Sequence, residues 1–103
     1  MNEIYLQIIS KIVCQKKNNN YDKEIEATEV LKVDNTGVGE YIDFLEKNNS
    51  IPLSIGERVS CNLKINHNQD VGAVLQKITE ELFSLELYTY GDDVWPKIIE
   101  SID

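Results

Sequence analysis

The sequence is poor in the residues on which the chemistry of small proteins usually depends. It has one histidine and two cysteines, and no apolar run long enough to cross a membrane. Cys14 and Cys61 lie far apart and match no metal-ligand spacing, so they indicate neither a disulfide framework nor a metal site, and we expect both thiols to be buried or half-buried. His67 stands in a polar turn without the partners that acid or base catalysis needs. We therefore expect no enzyme activity, no metal and no cofactor.

Positive charge is also scarce. The chain has 10 basic and 18 acidic residues, a net charge of −8, which repels phosphate backbones and anionic lipids, so we expect no direct binding to nucleic acid or membranes. The imbalance is uneven, because residues 1–79 contain 11 acidic and nine basic residues, whereas residues 80–103 contain seven acidic residues and Lys97 as the one base. Most of the negative excess lies in the last quarter of the chain.

The length and composition indicate one globular domain, residues 1–103. The chain has 103 residues, 42% of them hydrophobic, and a second independent core would leave each half near the lower limit for folding alone. Its start does not match a secretory signal, because Glu3 precedes the first apolar stretch and Lys11 interrupts it. We expect a cytoplasmic protein.

Hydrophobic periodicity predicts helices in four segments: residues 2–17, 39–49, 70–87 and 94–102. In the first segment apolar doublets recur at helical spacing, although the β-branched content leaves a strand open. In the third segment Asp70 can cap the helix. In the fourth segment Trp95-Pro96 stands at the start of the helix, and Val94 and Ile98 are expected in the core.

Strands are predicted in two segments. Residues 58–65 alternate strictly between apolar and polar, so Cys61 points into the core, where a thiol is inert. Residues 23–37 alternate less clearly and end in an Asn-Thr-Gly turn. The predicted fold class is α+β, a single compact domain with three or four helices packed on a small antiparallel sheet, and a mostly helical fold with one hairpin is the alternative.

The acidic last quarter of the chain also contains aromatic residues, a combination typical of a docking surface. Tyrosine buries a large area with few rotatable bonds, and surrounding acids steer a basic partner toward the surface. The alternative is that the acids only keep the surface hydrated. A calcium or magnesium site at Asp92 and Asp93, with Glu86 or Glu100, is disfavoured because the EF-hand spacing is absent. The candidate partner-binding residues are Glu86, Tyr88, Tyr90, Asp92, Asp93 and Glu100.

These features favour an inhibitor that binds a basic protein, as a monomer in a one-to-one complex. In size and acidity the chain resembles the small bacterial immunity proteins that neutralise toxin nucleases in colicin and contact-dependent growth inhibition systems. The resemblance is one of type, without a shared motif, and it implies an antitoxin whose carboxylates occupy the place of phosphates in a nuclease site. The alternatives are a phage inhibitor of restriction or CRISPR machinery and an acidic secretion chaperone.

Overall fold

The protein is built on a five-stranded antiparallel sheet. The computed structural model describes residues 2–47, 50–91, 94–96 and 98–102. Its elements in chain order are α1 (Glu3–Lys17), α2 (Asp22–Glu26), β1 (Glu29–Asn35), β2 (Gly39–Leu45), β3 (Arg58–Ile65), β4 (Gln69–Lys77) and β5 (Leu82–Thr89). The order across the sheet is β1-β2-β5-β4-β3. β1 and β2 form a hairpin, β3 to β5 form a meander, and antiparallel pairing of β2 with β5 joins them.

The predicted fold class is wrong. Over the described residues the protein is mostly β, with 42% strand and 21% helix, and these residues form two short helices rather than three or four. The alternative of a mostly helical fold is wrong for the same reason. Residues 39–49 and 70–87, predicted as helices, contain β2, β4 and β5 instead. Their apolar residues also fit a two-residue period, and long-range pairing within the sheet decides between the two periods.

The first helix forms as its periodicity predicts. Asn2 caps it, because its side chain accepts a 2.7 Å hydrogen bond from the backbone N–H of Ile4. Lys16 and Lys17 lie in its last turn, where positive charge is favourable. Asn18 then adopts the left-handed conformation and ends the helix. The buried face consists of Tyr5, Ile8, Ile9, Ile12 and Val13.

One side of the sheet holds the hydrophobic core. α1 packs over the half of the sheet that contains β3 and β4. Tyr5 reaches β2, where its ring meets the edge of Phe44 at 6.1 Å between centroids, and Phe44 stacks on Phe83 at 4.8 Å. Ile25 of α2 and Ile51 of the β2–β3 connection belong to the same buried cluster. Full burial of such a side chain contributes about 1.5–3 kcal/mol, so packing against the sheet accounts for most of the stability of the helix.

The C-terminal segment contains no helix in its described part, residues 94–96 and 98–102, so the prediction of a helix there is wrong. Trp95, Ile99 and Ile102 pack against the core cluster as half-buried side chains. Val94 and Ile98, expected in the core, are 78% and 70% exposed.

Hydrogen bonds to the β3–β4 turn hold this segment in place. The side chain of Asn66 accepts from the backbone N–H of Glu100 at 2.7 Å and donates to the carbonyl of Ile98 at 3.1 Å. The backbone N–H of Asn66 donates to the carbonyl of Ser101 at 3.0 Å. These bonds satisfy backbone groups that a helix would otherwise pair internally.

A buried ion pair ties the β2–β3 connection to the β4–β5 turn. The ammonium of Lys77 donates to Oε1 of Glu46, and both side chains are fully buried. The same ammonium donates to the carbonyl of Glu80 at 3.0 Å, and the backbone N–H of Glu46 donates to the carbonyl of Glu81 at 2.8 Å. Buried charges are tolerated where hydrogen bonds of this kind accompany the pairing.

The two thiols differ in their surroundings. Cys61 is half-buried against the core, as its strand position predicts, and burial raises the pKa of its thiol. Cys14 is exposed on α1, so the expectation that it is buried or half-buried is wrong. Within the described ranges, neither helix is long and apolar enough to span a bilayer.

Candidate protein-binding face

One face of the sheet carries no helix from the part of the chain that the structure describes. The helices and the described part of the C-terminal segment contribute their apolar side chains to the core on the other side. We call the helix-free side of the sheet the open face. Its centre is formed by side chains from β2, from β5 and from the residue that follows β5: Tyr41, Asp43, Ser84, Glu86, Tyr88 and Tyr90.

The alternation of side chains along β2 and β5 places these residues on the open face. Ile42 and Phe44 are fully buried in the core, so Tyr41 and Asp43, which alternate with them, point to the open face. On β5 the buried residues Phe83, Leu85 and Leu87 likewise alternate with open-face residues. The register places Tyr41 opposite Glu86 and Asp43 opposite Ser84.

The tyrosines of the open face are held by specific contacts. Tyr88 lies over Gly72 so closely that a Cβ atom at that position would overlap its ring. Tyr90 meets the edge of Tyr88 at 5.7 Å between centroids, and its hydroxyl donates to Oδ1 of Asn62. Burial, followed by the effect of Tyr88, raises the pKa of Tyr90, so its hydroxyl keeps its proton at neutral pH. The two rings form a preorganised aromatic platform that loses little entropy on binding.

Tyr41 connects β2 to β5 on the open face. Its hydroxyl donates to Oγ of Ser84 at 3.1 Å. Ser84 is itself almost fully buried, at 2% exposure, so this hydrogen bond satisfies a polar group that water barely reaches. The contact fixes the ring between the carboxylates of Asp43 and Glu86.

The acids at the centre of the open face differ from those on its flanks. Two acids on its flanks are paired with bases: Asp70 with Lys64 at 3.6 Å, and Asp34 with Lys32 at 3.3 Å. Asp43 and Glu86 form no ion pair with any described residue. Lys32 is opposite Asp43 in the register, yet its ammonium pairs with Asp34 instead. The centre therefore carries two carboxylates without an ion-pair partner among the described residues.

These two carboxylates are arranged to accept one cation. Asp43 and Glu86 occupy diagonal positions on adjacent strands, and such positions are about 7–8 Å apart. A guanidinium or ammonium group over the Tyr41 ring, which lies between them, would relieve their mutual repulsion and form charge-assisted hydrogen bonds to both. The neighbouring tyrosine rings add cation–π attraction for the same group.

The structure brings together three of the six predicted partner-binding residues. Glu86, Tyr88 and Tyr90 all lie on the open face. Asp92 and Asp93 lie outside the described residues. Glu100 is exposed on the C-terminal segment, which packs against the other side of the sheet, so it does not join the group.

Sequence reasoning missed the contribution of β2. The spacing in residues 39–49 predicts a helix, which would scatter their side chains around its axis. In the strand, Tyr41 and Asp43 face the open side while Ile42 and Phe44 face the core. This local alternation was the signal that could have found them.

The described part of the chain contains no arrangement of side chains that indicates histidine catalysis or metal binding. His67 is exposed in the β3–β4 turn, where its φ is +69°. Across residues 2–47, 50–91, 94–96 and 98–102, no group of three or more histidine, cysteine, aspartate or glutamate side chains is placed to hold a metal ion.

Comparisons with models of protein families, with curated proteins and with solved structures found no match. A function for this chain must therefore be inferred from its own surface.

Proposed function

We propose that the protein is a stoichiometric inhibitor that binds a basic protein partner through the open face. The observation that carries this proposal is the pair of unpaired carboxylates, Asp43 and Glu86, among fixed tyrosine rings on a face without a helix. An arginine or lysine of the partner lies over the ring of Tyr41 and reaches the carboxylates on either side of it. The partner's apolar atoms cover Tyr88 and Tyr90.

The size of the open face suits a specific complex. Strands of seven to nine residues, at about 3.3 Å per residue and about 4.8 Å between strands, give a face of roughly 24 by 25 Å. A standard interface buries about 800 Å² on each partner, so this face and its rim are sufficient for one.

We place the partner among toxin nucleases, which makes the protein an immunity protein of the bacterial cytoplasm that acts as a monomer. A nuclease has to attract phosphate, so its active site carries lysine and arginine side chains. A protein with a net charge of −8 and unpaired carboxylates on a flat aromatic surface competes with nucleic acid for such a site.

The test compares two double variants with the same change in net charge. Asp43→Lys with Glu86→Lys reverses both central acids of the open face. Glu26→Lys with Glu80→Lys reverses two exposed acids outside it, on α2 and in the β4–β5 turn. Each protein is immobilised and exposed to an extract of the native host, and retained proteins are identified by mass spectrometry.

We expect wild type and the control variant to retain the same basic protein, and the open-face variant to lose it. The purified partner should then cleave RNA or DNA, and this activity should fall linearly to zero at one equivalent of wild type. Retention of the partner by the open-face variant would place the interface elsewhere. A partner without nuclease activity would overturn the toxin assignment while leaving the binding face in place.

A further inference from the structure

A small pocket lies on the core side of the sheet, between the first turn of α1, strand β2 and the C-terminal segment. Its volume is about 250 Å³, and its lining consists of Asn2, Ile4, Tyr5, Glu40, Trp95, Pro96, Ile98 and Ile99. Pockets for drug-sized ligands measure about 300–1,000 Å³. This one is therefore suited to a group the size of one amino-acid side chain.

The lining combines one carboxylate with aromatic and aliphatic walls. Among the described residues that line the pocket, Glu40 is the one that carries a charge. The hydroxyl of Tyr5 donates to Oε2 of Glu40 at 3.2 Å, whereas Oε1 accepts no hydrogen bond from a described residue. Burial, and then the charge of Glu40, raises the pKa of Tyr5 to about 12, so Tyr5 remains a donor at neutral pH. Half of the carboxylate is left free for a ligand.

We propose that this pocket binds an arginine side chain presented by another protein. A guanidinium group is planar and weakly hydrated, so it can stack on the indole ring of Trp95 while it donates to Glu40. Its three methylene groups pack against the aliphatic wall. The ammonium of lysine holds its water more strongly and stacks less well, which favours arginine.

This pocket is separate from the open face. Glu40 and Tyr41 are adjacent on β2 and point to opposite sides of the sheet, with Glu40 beside the core residue Tyr5. The pocket and the open face cannot receive the same side chain. The arginine site therefore stands whether or not the open face binds a partner.

The experiment uses free, blocked arginine as the probe. Nα-acetyl-arginine amide is titrated into ¹⁵N-labelled protein, and the indole N–H of Trp95 is followed by NMR. The chain has a single tryptophan, so the signal needs no assignment. We expect a saturable shift with arginine and no saturable shift with the corresponding citrulline amide, which has the same shape but no charge.

Two variants test whether Glu40 is the residue that recognises the charge of arginine. Glu40→Gln keeps the shape of the side chain and should weaken arginine binding by about tenfold or more, as expected for a lost charge-assisted hydrogen bond. Glu81→Gln removes a charge from the β4–β5 turn, at the opposite end of β2 in the register, and should bind as wild type does. Equal shifts with arginine and citrulline, or an unchanged affinity in Glu40→Gln, would overturn the proposal. The citrulline comparison uses wild type alone, so the test holds even if the variant folds poorly.

Discussion

Replacing Lys77 with methionine is expected to destabilise the protein strongly. Methionine keeps the length of the buried aliphatic stem but removes the ammonium. The carboxylate of Glu46 then stays fully buried, with a 3.4 Å hydrogen bond from the N–H of Ile51. Removing one partner of a buried ion pair costs about 3–5 kcal/mol. With a urea m-value of about 1.5 kcal/mol per M, a loss of about 4 kcal/mol lowers the unfolding midpoint by about 2.7 M.

Two further variants separate burial of the charge from loss of packing. Lys64→Met removes a partner from an ion pair whose side chains are 47% and 68% exposed, and it should cost less than about 1 kcal/mol. Adding Glu46→Leu to Lys77→Met removes the orphaned charge and should recover most of the lost stability. Urea unfolding followed by circular dichroism measures all of these proteins. If Lys77→Met moved the midpoint no further than Lys64→Met does, the assignment of a buried pair that closes the β2–β3 connection would be wrong.

Three other predictions concern the core, the pocket and the open face. Ile98→Ala should change the free energy of unfolding by less than about 0.5 kcal/mol because the side chain is 70% exposed, whereas Ile9→Ala, at 0% exposure, should cost about 2–5 kcal/mol in the same urea assay. Tyr5, with its pKa raised to about 12, should titrate above the usual range of a tyrosine in a near-ultraviolet absorbance titration. Its contribution to stability should be complete below pH about 10 and be lost as the pH rises toward 12, and Glu40→Gln should lower the pKa only in part because burial is the larger cause. Gly72→Ala should displace the tyrosine ring that covers it, cost about 1–3 kcal/mol and change the near-ultraviolet circular dichroism; an unchanged spectrum would contradict that packing.

The sequence pattern correctly predicted the elements whose apolar residues fit only one repeat, either the two-residue repeat of a strand or the 3.6-residue repeat of a helix. Residues 58–65 alternate without exception and form β3. The first helix has apolar doublets four residues apart, a spacing that places all of them on one helical face, and it forms as expected.

The strands β4 and β5 were mispredicted as a helix because their apolar residues fit both the strand repeat and the helix repeat. Val71, Leu75 and Leu85 have helical spacing, and they also lie on the core face of β4 and β5. In β4, Gly72 and Val74 stand between core residues on the open face, which obscures the alternation. At Lys77 a charged residue occupies a core position, and its partner Glu46 lies far away in sequence, so no local window contains the pair.

Only part of the candidate site could be predicted from the sequence, because its residues come from two strands that lie far apart in the chain. Charge and aromatic content pointed to residues near the C-terminus, which include Tyr88 and Glu86. Their neighbours Tyr41 and Asp43 come from a strand about 45 positions earlier in the chain, brought alongside by the β2–β5 register. Neither composition nor periodicity reveals such a pairing.

The affinity of the purified partner for the two charge-reversed double variants tests the central claim most directly. Calorimetry should show that Glu26→Lys with Glu80→Lys weakens binding slightly, through long-range charge alone, and that higher salt removes this difference. Asp43→Lys with Glu86→Lys should weaken binding by about 3 kcal/mol or more, at low and at high salt, because it acts at the buried centre of the contact. Equal losses for the two variants would contradict the account, since net charge would then explain the binding without the open face.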